Sequence, residues 1–357
     1  MKDLTQGKPI SVIWNFTLPI IGGNLFQLFY TLADTIIVGQ TIGEEALAAV
    51  GGTTVFSYFI LCFVQGFTSG FAVIMAQRFG HKDEKGVKKS IVTSTYLSLF
   101  FTILLTLLFV PFTGKIVDIM DVPKEIDALA YSYLFVILLG TGASIFYNMI
   151  SNILRALGDS KIPLIFLIIS SLLNIVLDYI FIVPFNWGVG GAAWATVLSQ
   201  MIAATLSLIV GLKKYPIFKI EKELWKIEKK NTIDHFKLGT LMGIEMSVMC
   251  IGQIVMQSAV NSLGTKAIAG FTAASKVDQL AVLVDGAFQT SLSTFVAQNY
   301  GSGSYKRIKQ GVWSALFIVE TLNVFMAILM LVSAPYLAPI FVSNANSEIE
   351  RYVIEYF

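Results

Sequence analysis

The sequence predicts an all-α polytopic membrane protein of two parallel six-helix lobes, the second of them truncated. Three observations predict it. Residues of the hydrophobic set fill 55% of the 357 positions and charged residues only 13%, where a water-soluble domain carries about a quarter charged residues. The apolar residues gather into charge-poor stretches long enough to cross a bilayer, with none of the short period-2 alternation of a barrel. One such stretch recurs later in the chain. This composition excludes an ordinary globular enzyme, a disordered chain and a nucleic-acid-binding protein, and makes the lipid bilayer the first partner.

The first stretch, 9–33, follows a polar start and is far longer than a signal-peptide core, so it is expected to remain as the first helix. Pro19 inside it removes one backbone hydrogen bond and marks a hinge. Further spans follow at 47–77, 90–114, 128–154, 162–184 and 189–212, which close an amino-terminal lobe of residues 1–212. The charged stretch 213–237 reads as a linker between lobes. Residues 238–357 form the carboxy-terminal lobe, with helices at 238–262, 268–299 and 310–333. A tenth helix starts near Ser347, where 348–357 resembles 127–134 in pattern. The chain is therefore expected to hold about 9 to 10 helices and to lack the rest of the second lobe.

Lysine and arginine fix the orientation. They crowd the amino end, the loops after the second, fourth and eighth spans, and the 213–237 linker. The opposite connections hold only Lys115, Lys124, Lys266 and Arg351. The positive-inside rule then places the amino terminus in the cytoplasm of a multi-pass protein of the cell membrane.

Residues 43–80 align without a gap on 264–301. Gly43, Ala46, Ala48, Phe67, Ala76, Gln77 and Gly80 fall on Gly264, Ala267, Ala269, Phe288, Ala297, Gln298 and Gly301, and a basic loop follows both copies. The second copy begins after an even number of spans, so the halves run the same way across the membrane, related by an axis along its normal. Substrate is expected at the midplane between them.

A carboxylate at the bilayer centre costs about 2.5 to 3.5 kcal/mol on insertion scales, so intramembrane acids are candidates for function. They are Asp34, Asp178, Glu245, Asp278, Asp285 and Glu320, with Lys276 as the one cation inside a span. Asp34 ends the first span and shares a helix face with Gln27 and Tyr30; its counterpart in the repeat is Val255. Asn174 and Asp178 are i,i+4 on the fifth span, and Thr196 adds a hydroxyl from the sixth. Such oxygens suit a small hard cation or a protonatable acid with a hydrogen-bonding neighbour. Glu245, Lys276, Asp278 and Asp285 make a second-lobe polar cluster in which an acid neutralises the lysine. His81 and His235 read as solvated loop residues. Cys62 and Cys250 read as two buried thiols, with one disulfide between them left open. Gly239 and Gly243 make a GxxxG that marks close helix packing. No nucleophile elbow, zinc-protease helix, paired CxxC or P-loop lysine is present, so the chain is expected to be no enzyme, to need no cofactor, and to draw on an ion gradient.

At these residues the chain resembles the multidrug and toxic compound extrusion (MATE) transporters. The resemblance is carried by Pro19, by Asp34 opening DTIIVGQTIGEEALAAVG, by RALGDSKIP from Arg155, by NIVLD from Asn174 to Asp178, by GVGGAAWATVLSQ, and by ALAAVG returning as AIAGFTAAS. It implies a twelve-helix antiporter of two lobes that exports amphipathic, often cationic compounds in exchange for Na+ or H+. Asp34, Asn174, Asp178 and Thr196 match the polar site of the amino-terminal lobe in its bacterial and archaeal branch, with Na+ or H+ at Asp34, Asn174 and Asp178, Gln27 and Tyr30 beside the substrate cavity, and Pro19 as hinge. Glu245 does not fall on the helix-seven acid of the other branch, and that role is not carried over. A monomer is expected. The alternative is a flippase for lipid-linked oligosaccharides or peptidoglycan precursors with the same two-lobe plan. Basic residues in the central cavity would favour it, and the first-half spans read as holding only acids.

Overall fold

The computed structural model describes residues 3–261 and 265–341, and the tenth helix expected near Ser347 lies outside them. The described chain folds as α1 (Pro9–Thr41), α2 (Glu44–Gly80), α3 (Glu84–Phe109), α4 (Thr113–Ile119), α5 (Asp127–Leu139), α6 (Thr141–Ala156), α7 (Lys161–Ile182), α8 (Gly188–Lys214), α9 (Lys229–Asn261), α10 (Thr265–Gly301) and α11 (Tyr305–Phe341). Among the described residues there is no strand. Among the described residues seven helical spans are long and apolar enough to cross a bilayer, and α5 with α6, bent by 43° at their junction, make an eighth if the pair is taken as one span.

Local chemistry sets the breaks. The third span is interrupted at Pro111, which has no N–H for the helical ladder, and continues as α4 after a 3₁₀ turn over Val110–Phe112. The fourth bends at Gly140, where a Cβ would fall 2.1 Å from Val197 of α8, so only glycine lets the two helices meet there. Asp83 caps α3 by accepting from the Gly86 N–H at 2.8 Å.

Several boundaries differ from the sequence reading. α1 runs on to Thr41, which puts Asp34 about two turns inside the helix rather than at its end. Charge-free windows stop at the first charge, whereas a helix continues while its backbone bonds are made. For the same reason Arg78 and Arg155 belong to the last turns of α2 and α6, so the first-half helices do contain bases, at their ends. The charged stretch 213–237 is helical again from Lys229. His235, expected in solvent, is buried instead: α9 carries it under α2, its Nδ1 2.8 Å from the Asn231 carbonyl oxygen and its ring 6.0 Å from that of Phe71. His81 is exposed, in the turn after α2.

Between α8 and α9 the chain is pinned to the first half by buried Tyr215, Ile217 and Phe218. Asp159 organises this corner. Its Oδ1 accepts from the Lys161 and Ile162 N–H groups, both at 3.0 Å, capping α7, while its Oδ2 accepts from the Tyr215 hydroxyl and lies 3.4 Å from Lys214 Nζ. Burial alone would raise the Asp159 carboxyl, but the bonds from Tyr215 and Ile162, with Lys214 and Lys161, hold it below the usual carboxylate range. Its contribution is therefore complete at neutral pH and is lost as acid is added through that lowered value. Asp159→Ala is expected to cost about 1 to 2 kcal/mol, the size of a lost cap, read as a lower melting temperature in detergent.

α2 and α9 join the two halves through facing glycines. A Cβ on Gly66 would lie 2.2 Å from the Met242 carbonyl oxygen, and one on Gly70 2.6 Å from the Gly239 Cα. Gly239 and Gly243 thus meet a second G-x-x-x-G on α2, and backbone packs on backbone there, while nearer the basic end Arg78 of α2 donates to Asn231 Oδ1 of α9 at 2.7 Å. Cys62 on α2 and Cys250 on α9 are free and buried in the same seam.

At the basic ends of α2 and α10 the contact is reciprocal. A Cβ on Gly80 would lie 1.9 Å from the Gln298 carbonyl oxygen, and one on Gly301 1.8 Å from that of Gln77. These four residues are the pairs that the internal repeat equates. When residue i meets j′ and i′ meets j in the same way, the two surfaces are related by a two-fold operation.

Candidate functional site

The site is set by how α1 lies on α7. Gly22 and Gly23 face Leu164 and Leu167, and a Cβ on Gly23 would stand 3.2 Å from Leu167 Cδ2. Both helices lead away from the basic end. Asp34 follows Gly23, and Asp178 follows Leu167, by the same eleven residues, about three turns. Equal rise and equal rotation bring the two carboxyl groups to one level and turn them toward each other. They stand within hydrogen-bonding reach.

Asp178 is fully buried, and its Oδ1 has no hydrogen-bond partner. Asp34 is half-buried, and its Oδ1 is likewise enclosed and unpartnered. Asn174, buried one turn below Asp178, has its amide 3.3 Å from the Thr196 hydroxyl of α8. With the amide turned over, its nitrogen donates to Asp178 Oδ2 at 3.3 Å and its oxygen accepts from the Thr196 N–H at 3.2 Å, which satisfies both neighbours. The structure therefore gathers Asp34, Asn174, Asp178 and Thr196 into one cluster.

Tyr30 joins it, half-buried and within electrostatic reach of both acids. So do two residues the sequence reading did not single out: Tyr133 of α5 faces the two acids and Tyr30, and Tyr147 of α6 stands near Tyr30. Gln27 lies on the same face of α1 as Asp34, about two turns nearer the basic end, and is exposed. Pro19 sits within α1, which passes through it without a break.

The second half is different. Glu245, Asp285 and Glu320 are exposed on α9, α10 and α11, and the side chains of Lys276 and Asp278 lie outside the described residues. Val255, the repeat counterpart of Asp34, is exposed as well. The acid pair belongs to the first half.

Two carboxylates this close, taken out of water, need a positive species between them: a shared proton or a cation held by their oxygens. Among the described residues the ion pairs are Lys88–Glu221, Lys89–Glu228 and Lys214–Asp159, so none of the described basic side chains pairs with Asp34 or Asp178. No group of three or more His, Cys, Asp or Glu capable of holding a metal occurs among the described residues. The ligands on offer are two carboxylates, an amide and a hydroxyl, hard oxygens of the kind that take small, weakly held cations.

A bundle of membrane-crossing helices with an unpaired acid pair buried between two of them defines a multi-pass membrane transporter. Residues 19–180 and 242–356 match the MatE family, and the chain belongs to it. It is 31% identical over 353 residues to the probable multidrug resistance protein YpnP of Bacillus subtilis (strain 168), across 97% of this chain and 77% of that protein. It is 24% identical over 335 residues to the multidrug export protein MepA of Staphylococcus aureus (strain bovine RF122 / ET3-1), across 91% and 74%. Among solved structures, that of MATE in complex with MaL6 superposes with a TM-score of 0.90 at 26% identity, covering 99% of this chain and 79% of that one.

Proposed function

We propose that this chain exports amphipathic, often cationic small molecules across the cell membrane in exchange for Na+ or H+, with Asp34, Asn174, Asp178 and Thr196 as the coupling site and Gln27 and Tyr30 at the edge of the substrate cavity. The observation that carries it is the pair of buried carboxyls whose inner oxygens have no partner. A site that needs a positive charge, and pairs with no basic side chain among the described residues, binds and releases one. The relatives named for multidrug resistance and export point to the same activity.

The protein works as a monomer with its amino terminus in the cytoplasm. Residues 1–212 form one lobe, and residues from 238 on belong to its pseudo-symmetric partner beyond the 213–237 linker. The reciprocal contact of Gly80 and Gly301 supports that symmetry. An ion entering from outside neutralises the acid pair and favours a bent α1. Pro19 lacks the N–H that would hold the Asn15 carbonyl, so the bend costs little there. The bend reshapes the first lobe and displaces the exported molecule. The ion acts only through the difference in its affinity for the two shapes, and each charge moving inward contributes about 2.3 kcal/mol per 100 mV.

The test is efflux of a fluorescent cation from vesicles under a sodium gradient and a pH gradient imposed separately. Efflux driven by either gradient supports exchange, and efflux indifferent to both overturns it. Pro19→Ala restores the missing backbone bond and is expected to slow exchange several-fold while leaving ion binding intact, as read from efflux rates beside sodium or proton uptake by the purified protein.

A further inference from the structure

α1 is shared between the two halves, and Pro19 lies near the division. Ahead of it, Val12 and Phe16 pack with Leu4 into a buried cluster with Phe288 and Phe295 of α10 and Ala315 of α11. Beyond it, Ile20 and Ile21 still pack with that cluster, while Gly22 and Gly23 settle on α7 and lead to Asp34, and Asn24 Nδ2 donates to the Leu283 carbonyl at 3.2 Å.

The chain before α1 fastens the lower part. Asp3 folds the segment into a turn by accepting from the Thr5 N–H at 2.9 Å, and Gly7 takes the left-handed φ of +81° that delivers the chain to Pro9. Leu4 is completely buried. Its N–H donates to Gln298 Oε1 at 3.0 Å, and its carbonyl accepts from Asn299 Nδ2 at 3.3 Å. Arg307 of α11 donates to the carbonyls of Leu4, at 3.3 Å, Gln6, at 2.9 Å, and Gly7. The other end of the Gln298 amide donates to the Ala156 carbonyl of α6, in the first half, at 2.8 Å. One buried amide therefore ties the amino-terminal segment, the second half and the first half together at the cytoplasmic end.

We propose that residues Asp3 to Phe16 act as a strap that couples the two halves: the strap makes the lower part of α1 move with α10 and α11, so that a change at Asp34 is transmitted across Pro19 to the seam that opens and closes on the cytoplasmic side. This rests on the exchange reading above. Without the strap the ion still binds at the acid pair, but its binding no longer moves the second half, and ion and exported molecule cross without each other.

Coupling, rather than rate alone, is the readout. Arg307→Gln removes the guanidinium that holds three carbonyls. Gln298→Glu keeps an acceptor for Leu4 and removes the donor to Ala156. In proteoliposomes each is expected to raise the number of sodium ions or protons crossing per exported fluorescent cation about tenfold, the factor that goes with one buried hydrogen bond. Sodium or proton binding by the purified protein should stay within about twofold of the unaltered chain. Arg307→Lys, which keeps the charge without the fork, should fall between, and serves if the glutamine variant does not fold. Unaltered ion-to-substrate ratios in the variants overturn the strap. Should Asp34→Asn exchange normally, the exchange reading itself fails; should it be inactive while the strap variants stay tightly coupled, only the strap fails.

Discussion

Asp178→Asn is expected to lower ion-coupled efflux by about two orders of magnitude or more, as when one member of a group acting as a unit is removed, while leaving the protein folded. Asparagine has the shape of aspartate, so no cavity opens beneath Tyr133 and Tyr30. The side chain is fully enclosed, and replacing an unpaired buried charge by a neutral amide relieves desolvation instead of adding to it. The melting temperature of the variant should therefore match or exceed that of the unaltered chain. What is lost, on the exchange proposed above, is the charge that would draw a cation between α1 and α7. Asp34→Asn should do the same to transport. The double variant should be no worse than either single one, because half a site already holds nothing, and two effects that act through one bound ion do not add. Efflux rates beside thermal melting of all three variants check this. A variant that transports at a tenth of the normal rate or better removes its residue from the coupling site.

Much of this arrangement was legible in the sequence because hydrocarbon imposes simple demands. Charge-poor stretches of bilayer length gave the spans to within a few residues at most ends, and an acid inside such a stretch stands out by its cost. Asn174 with Asp178 could be read as one surface from helical spacing. The nearness of Asp34 to Asp178 could not, since it depends on α1 lying parallel on α7 in the register set by Gly23 and Leu167, a property of two distant segments. Tyr133 and Tyr147 were missed for a related reason: a tyrosine in an apolar helix carries no distinguishing period, and only packing brings Tyr133 to the acids and Tyr147 to Tyr30. His235 went wrong because its neighbours are lysines. Local charge suggested a loop, but the helix starting at Lys229 rotates the histidine under Phe71 and leaves the lysines in solvent. The role of the first residues was illegible for a deeper reason, as Leu4 meets Gln298 and Asn299 only once the whole chain has closed.

Gly80→Leu is expected to force apart the basic ends of α2 and α10. No rotamer avoids the clash, because the obstacle to a Cβ is the Gln298 backbone itself, at 1.9 Å, and backbone in a helix does not yield as a side-chain tip does. Overpacking of this kind costs about 1 to 3 kcal/mol, a shift of roughly five- to 150-fold away from the state in which this seam is shut. Spin labels at Lys85 and Lys306, both exposed beside the seam, should report a longer separation in the variant. Gly301→Leu strikes the Gln77 backbone at 1.8 Å and, by the reciprocity of the contact, should lengthen the same distance by a similar amount. Once one substitution has opened the seam the other meets empty space, so the pair should show less than the sum of the two. If the two single variants differ widely, or if their effects add in full, the contact does not behave as one two-fold junction, and the repeat has left a likeness of sequence without a likeness of mechanics.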